Sequence, residues 1–132
     1  MLVKSIMTPV EQIAKTSPMA TVRGALTLMK EHKVRSVVVD KNGDSGAYGL
    51  LTFRNVLQSI ISEDGDIDLL NVYDIATLPA VSVSASLEVK YAAKMMVNSN
   101  MKRLLVLDNN QLVGIVTMSD IIEVLMENVE EL

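Results

Sequence analysis

One short turn sequence occurs twice in this chain of 132 residues, and that internal repeat limits the possible folds more than any other feature. GLLTFRN begins at Gly49, and its relative GIVTMSD begins at Gly114. In both copies a threonine ends one apolar run, and a new apolar run starts a few residues later. The sequence therefore predicts two copies of one structural unit.

The segments before each turn repeat as well. Apolar residues spaced i, i+3, i+4, i+7 predict one buried helix face in each copy: Val22, Ala25, Leu26 and Met29, then Val89, Ala92, Ala93 and Met96. The β-rich runs VRSVVVD (34–40) and MKRLLVLD (101–108) follow, and Asn42-Gly43 and Asn109-Asn110 predict hairpin turns after them. Each repeat is thus expected to run strand, helix, strand, turn, strand, helix, with the final helices at 53–61 and 118–129.

This pattern predicts an α/β (α+β) fold of two repeats related by a pseudo-twofold axis, each a small mixed three-stranded sheet with two helices. Residues 1–61 form repeat 1, residues 62–71 an acidic connector that contains Gly65, and residues 72–132 repeat 2. Because a repeat with three strands leaves sheet edges and a helix face uncovered, the two repeats are expected to pack together as one compact module.

Composition narrows the kinds of partner. Apolar residues make up 49% of the chain and aromatic residues only 3%, which predicts an aliphatic core. The absence of cysteine excludes disulfides and thiolate metal sites. A net charge of -4 argues against general binding of nucleic acids or anionic membranes. With no long apolar span and no signal segment in the sequence, we expect a cytoplasmic protein.

The order of these motifs resembles a tandem pair of cystathionine-β-synthase (CBS) domains, known as a Bateman module. IMTP, TSPMATV and GLLTFRN carry the resemblance in the first half, and ATLP, SASLEV and GIVTMSD in the second, over residues 3–126. The resemblance implies a regulatory, non-enzymatic module that binds AMP, ADP or ATP in clefts between its repeats, often as a homodimer. It implies no resident cofactor, and its regulated partner protein is not identified by the sequence.

The residues of GIVTMSD support two interpretations. A strand that ends at Thr117 and enters a helix exposes backbone N–H groups that favour an anion, and a carboxylate at Asp120 can accept both hydroxyls of a ribose. The same Thr-x-x-Asp spacing also matches a helix capping box. In the other copy Asn55 stands where the family pattern prefers aspartate.

The resemblance also implies that each cleft combines residues of both repeats. The first site would contain Thr117, Asp120, Pro9, Ile13, Ala14, Val34 and Arg35. The second site would contain Thr52, Asn55, Thr77, Leu78, Ala80, Met101, Lys102 and Arg103. Backbone groups of Ala14 and Ala80 would recognise adenine, Ile13 and Leu78 would form apolar walls, and the three basic residues would bind phosphate.

Other functions remain open at this stage. The apolar members of both sites are also ordinary core residues, and a dimerisation or scaffold module with vestigial clefts is one alternative. S-adenosylmethionine and NAD are alternative ligands, although Lys102 and Arg103 favour a phosphate-bearing ligand. Enzymatic activity is not expected, because a single histidine and the absence of cysteine provide no nucleophile–base set or typical metal site.

Overall fold

The computed structural model of the protein describes residues 1–43 and 46–129. Asp44 and Ser45 of the first hairpin loop and the last three residues of the second repeat therefore lie outside the described residues. The strands are β1 (Thr8–Pro9), β2 (Lys15–Thr16), β3 (Ser36–Val39), β4 (Gly49–Thr52), β5 (Ser82–Ser84), β6 (Arg103–Asp108) and β7 (Gln111–Thr117). The α-helices are α1 (Val22–His32), α2 (Phe53–Val56), α3 (Val72–Ile75), α4 (Val89–Asn98) and α5 (Met118–Glu127). Within this part of the chain, no helix has the length and apolar character needed to cross a membrane.

The chain forms two compact units that do not follow the order of the repeats. Unit 1 combines Met1–Ile13 with the chain from Val81 onward, and unit 2 is Ala14–Ala80. The first 13 residues thus belong to the same compact unit as most of the second repeat. The repeat boundaries at 61 and 72 describe sequence similarity and stay a prediction.

Unit 1 contains a four-stranded sheet in the order β1-β7-β6-β5. β6 pairs with β7 antiparallel and with β5 parallel, while β1 pairs antiparallel with β7 so that Pro9 lies opposite Gly114. One sheet face packs against α4 and α5 through a cluster that includes Met96, Leu104 and Val116. This core is aliphatic, as the composition predicts.

Unit 2 contains a three-stranded sheet in the order β2-β3-β4. Its core cluster includes Ala25 and Met29 of α1 together with Val37, Val39 and Leu51 of the sheet. Thr77 and Leu50 exchange both of their backbone hydrogen bonds at 3.0 Å, so the segment after α3 extends this sheet by a single bridge. This bridge is the counterpart of the β1–β7 pairing in unit 1.

The mixed α/β class and the order of elements in each repeat are confirmed. The sheet of unit 1 has four strands instead of the predicted three, because β1 pairs with the free edge of β7. The second predicted turn is a tight hairpin with positive φ at Asn109 (50°) and Asn110 (63°), the conformation that asparagine tolerates best after glycine. The first predicted final helix is α-helical only over α2 and continues as a π-helix from Leu57 to Ser62. The second, α5, ends at Glu127, two residues before its predicted end.

The acidic connector is fixed to the start of α1. The backbone N–H groups of Val22 and Arg23, which lack intrahelical partners, donate to the carbonyls of Leu70 and Ile67. The Arg23 guanidinium also forms a two-pronged ion pair with Asp68. Hydrogen bonding from Arg23 lowers the pKa of Asp68 below its ordinary value. The connector therefore serves as a cap for this helix.

Gly114 provides a test of the β1–β7 pairing. A Cβ at this position would lie 2.7 Å from the Thr8 carbonyl oxygen and 2.5 Å from the Met7 sulfur. Because the carbonyl belongs to the β1 backbone, we expect Gly114→Ala to lower the free energy of unfolding by about 1–3 kcal/mol, the usual cost of overpacking. Urea denaturation measures this change.

Gly24→Ala is the matched control, since Gly24 lies in α1 and an added Cβ would meet only the Thr21 hydroxyl, at 3.3 Å. Alanine is the better helix former, so this variant should be unchanged or more stable by up to about 1 kcal/mol. Equal stability of the two variants would contradict the close approach of β1 to Gly114.

Candidate functional site

The predicted Thr-x-x-Asp motif of unit 1 forms a complete capping box at the start of α5. Thr117 is the N-cap residue, and its hydroxyl accepts a hydrogen bond from the Asp120 N–H at 3.2 Å. The Thr117 N–H donates in return to Oδ2 of Asp120 at 2.8 Å. Two N–H groups at the helix start are thereby satisfied reciprocally. The capping interpretation of this motif is therefore confirmed.

Unit 2 builds the same box with an amide in place of the carboxylate. The Asn55 N–H donates to the Thr52 hydroxyl at 3.3 Å. The side-chain oxygen of Asn55 accepts from both the Thr52 N–H, at 2.9 Å, and the Thr52 hydroxyl, at 3.1 Å. Both copies of the turn thus stabilise the helix that follows them.

The two boxes differ in the acceptor capacity that remains after capping. A carbonyl-type oxygen has two lone pairs, and Asn55 uses both within the box. Asp120 uses one carboxylate oxygen for the cap, and its Oδ1 has no hydrogen-bond partner among the described residues. Only the unit 1 box can therefore cap its helix and still accept further hydrogen bonds through a charged oxygen.

A second difference lies directly across the sheet from each threonine. In unit 1 the cross-strand partner of Thr117 is Arg103, whereas in unit 2 the partner of Thr52 is Ser36. Arg103 is half-buried and forms no ion pair within the described ranges 1–43 and 46–129. Paired residues share a sheet face, so Arg103 and the Asp120 turn occur together in unit 1, whereas serine and asparagine occupy the two corresponding positions of unit 2.

Asp120 also borders a small cavity of about 170 Å³ within unit 1. Its other walls are Ile6, Glu123, Val124 and Glu127. These residues were not predicted as site residues, although Glu123, Val124 and Glu127 follow Asp120 at the i+3, i+4 and i+7 positions that share a helix face. The cavity is smaller than pockets that enclose a whole ligand of drug size. It can hold one hydroxyl-rich part of a larger molecule.

The remaining predicted residues of unit 1 lie around the same sheet. Pro9 is held in β1 opposite Gly114, and Ile13 follows the 3-10 turn Val10–Gln12. Met101 packs against the unit 1 core, and the carbonyl of Lys102 accepts from the Met118 N–H, the first of α5, at 2.9 Å. Lys102 and Arg103, predicted for the second site, thus belong to the unit that contains Thr117 and Asp120.

Unit 2 contains the other predicted residues, at both ends of its sheet. The Arg35 carbonyl accepts from the Phe53 N–H at the start of α2, and Val34 packs against the unit 2 core. The Ala14 carbonyl and the Ala80 N–H have backbone partners in Val38 and Tyr48. Leu78 lies against Gly49. Gly49 precedes Thr52 by three residues, which is about 10 Å along β4. Leu78 therefore lies far from the Thr52–Asn55 turn, while Thr77 is bridged to Leu50.

Two segments of the chain, residues 3–62 and 72–127, match the family model described as the CBS domain. The chain belongs to the CBS domain family. The two matches cover both copies of the turn, so the predicted tandem of CBS domains is confirmed. Unit 1 and unit 2 each contain one of the two CBS turns, Thr117–Asp120 and Thr52–Asn55 respectively.

Known proteins resemble the chain along most of its length. An uncharacterized protein of Methanopyrus kandleri, MK0525, is 34% identical over 119 residues, which are 87% of this chain and 60% of that protein. The chain thus spans less than two thirds of this relative. The structure of a hexameric CBS-CP12 protein from bloom-forming cyanobacteria has a TM-score of 0.86 at 28% identity and covers 99% of this chain and 79% of that one. CBSX2 of Arabidopsis thaliana, solved in complex with AMP, has a TM-score of 0.77 at 25% identity and covers 96% of each chain.

The capping role of the CBS turn can be measured directly. Thr117→Ala removes the hydroxyl that accepts the Asp120 N–H, so we expect the free energy of unfolding to fall by about 0.5–2 kcal/mol. Thr117→Ser keeps the hydroxyl and should lose less. Thr52→Ala should show a similar loss, because the unit 2 box has the same geometry. Urea denaturation in which Thr117→Ala matches the wild type would contradict this role.

Proposed function

We propose that the chain is a regulatory module that binds an adenine nucleotide through the Asp120 turn of unit 1 and transmits the bound state to a partner protein. The role is non-enzymatic, and its mechanism is a population shift driven by the difference in ligand affinity between two states of the module. A structural relative, CBSX2, was solved with AMP. A cytoplasmic location stays a prediction from the sequence.

One observation carries this proposal: the Oδ1 atom of Asp120 is left without a partner by the capping box. A carboxylate oxygen at a helix start is a strong acceptor for the vicinal hydroxyls of a ribose. In unit 2 the single side-chain oxygen of Asn55 forms the cap and already accepts two hydrogen bonds. The proposal therefore places the primary ribose contact in unit 1.

The charges around the turn favour one orientation of the nucleotide. The cavity beside Asp120 is lined by two further carboxylates, Glu123 and Glu127, which favour hydroxyl donors and repel phosphate. Arg103 lies across the strand from Thr117 and has no ion pair within the described residues. The ribose would therefore face the carboxylates, while the phosphate would lie toward Arg103 and the positive end of α5.

S-adenosylmethionine is the second candidate ligand, and the same cavity supports it. Three carboxylates around about 170 Å³ would stabilise its cationic sulfonium as well as its ribose. Under this alternative, Arg103 would have no phosphate to bind. Arg103→Ala should weaken AMP binding but leave S-adenosylmethionine binding unchanged, so calorimetry with both compounds separates the two candidates.

Exchanging the two turn residues tests the nucleotide site. Asp120→Asn should keep the cap, because the amide oxygen can replace Oδ2, but it removes the charged oxygen proposed to bind ribose. Hydrogen bonds to charged groups contribute about 1.5–3 kcal/mol, so AMP affinity should fall by roughly tenfold to more than a hundredfold. Titration calorimetry measures affinity and stoichiometry together.

Asn55→Asp is the matched control, since it makes the reciprocal change in unit 2 and should not weaken AMP binding at the unit 1 turn. Circular dichroism establishes that both variants are folded. Unchanged affinity and stoichiometry in a folded Asp120→Asn variant would show that the turn is only a cap. Absence of binding by the wild type to any adenosyl compound would favour the scaffold alternative.

We also propose that the protein forms a homodimer through α5. Ile122, Leu125 and Met126 are 45–69% exposed and share one face of this helix, which is unusual for apolar side chains of this size unless they meet a partner. A structural relative is hexameric, so association occurs among proteins of this fold. In the proposed dimer, the apolar face of α5 in one protomer would pack against the same face of α5 in its partner.

Light scattering should therefore give about twice the monomer mass of 14.4 kDa at micromolar concentration. Ile122→Glu should shift the mass toward the monomer, because it introduces a charge into the apolar face. Val97→Glu provides the control, since Val97 is 72% exposed on another helix of unit 1. A monomeric wild type, or equal effects of the two variants, would disprove the proposed interface.

A further inference from the structure

Unit 2 contains a cavity of about 500 Å³ that has no part in the Thr52–Asn55 turn. This volume lies within the range of about 300–1,000 Å³ that is typical of small-molecule sites. Its apolar walls are Pro18, Met19, Ala47, Tyr73, Leu78 and Pro79. Leu78 contacts Gly49 at the start of β4, whereas Thr52 ends that strand about 10 Å away. The cavity is therefore a separate site.

A difference between the repeats accounts for this cavity. In unit 1 the strands β6 and β7 are joined by two residues, Asn109 and Asn110. In unit 2 the connection runs from Asp40 to Tyr48, and its described residues Asp40, Asn42, Gly46 and Ala47 form one side of the cavity. The opposite side comes from α3 and from the segment before α1, which are joined where the Tyr73 N–H donates to the Pro18 carbonyl at 3.0 Å.

Asp40 is the charged residue among the described residues that line the cavity. Its backbone N–H is bonded to the Thr16 carbonyl, but its side chain has no ion pair or hydrogen bond within the described residues. The neighbouring cation Lys41 lies 5.0 Å from the centre of the Tyr48 ring and does not line the cavity. Among its described lining residues, the cavity thus combines a broad apolar surface, which includes an aromatic ring and a thioether, with one negative charge.

This combination repels phosphate and selects the opposite charge. We propose that the cavity binds a small organic cation with an apolar or aromatic body, such as an arylalkylamine. The ammonium group lies beside Asp40, and the ring packs among Tyr73, Met19 and the two prolines. The site is independent of the nucleotide site proposed for unit 1, because none of its walls belongs to that unit.

The test uses the full chain labelled with ¹³C at the methionine methyl groups. Met19 is 63% exposed and lines the cavity, so its methyl signal, assigned with Met19→Leu, reports occupancy. The probes are 2-phenylethylamine, 2-phenylethanol and 3-phenylpropionate, which share a phenyl ring and differ in charge. We expect a saturable shift with the amine at about millimolar concentration, a weaker one with the alcohol and none with the carboxylate.

Asp40→Asn should weaken amine binding by about two- to fivefold, as expected for a solvent-accessible ion pair, and should abolish the preference over the alcohol. Asp108→Asn is the matched control. Asp108 occupies the position in unit 1 that corresponds to Asp40, at the end of β6, but Asp108 does not line the cavity. Tyr73→Ala should weaken the binding of both the amine and the alcohol, because it removes the aromatic wall of the cavity. Asp120→Asn should leave amine binding unchanged, because Asp120 does not line this cavity. Failure of the nucleotide proposal can therefore be distinguished from failure of the amine proposal. No saturable shift at Met19, or equal binding of all three probes, would overturn the proposal.

Discussion

The backbone pairing of β1 with β7 is the interaction on which unit 1 depends. It connects the first residues of the chain to the second CBS repeat and completes the four-stranded sheet. The same N-terminal segment contains Val3, which is fully buried in the unit 1 core and whose N–H donates to the Leu87 carbonyl. The close approach requires glycine at position 114. Since β7 ends at Thr117, this pairing also fixes the strand that positions the start of α5 and hence Asp120.

The patterns that depend on neighbouring residues were predictable from the sequence. The buried face of α1 follows from helical spacing, and Val22, Ala25 and Met29 are indeed buried. The hairpin at Asn109-Asn110 follows from the tolerance of asparagine for positive φ. The capping boxes also follow from local spacing, because a box involves only residues three apart. Repetition of these local signals in one order was enough to predict the fold class.

Features that depend on distant partners were not predictable. Nothing in Thr8–Pro9 indicates pairing with a strand about a hundred residues away. The cross-strand partners of the two threonines, Arg103 for Thr117 and Ser36 for Thr52, are also unknown until the strand register is known. The sequence interpretation grouped Arg103 with the Thr52–Asn55 turn, and only the strand register shows that Arg103 lies opposite Thr117. The carboxylates of Glu123 and Glu127 became relevant only when Ile6 closed a cavity against them.

The two CBS turns show why duplicated copies of one motif need not share one chemistry. The cap uses the threonine hydroxyl and one side-chain oxygen, and its loss would cost about 0.5–2 kcal/mol of helix stability. This requirement favours a hydroxyl side chain at the first position and a side-chain oxygen acceptor at the fourth, which aspartate and asparagine both supply here. The second carboxylate oxygen and the cross-strand residue contribute nothing to the cap. Having Asn for Asp and Ser for Arg in unit 2 therefore removes the charge at these two positions while the capping box is kept. Stability thus constrains both copies equally, whereas ligand chemistry can be confined to the copy that retains Asp120 and Arg103.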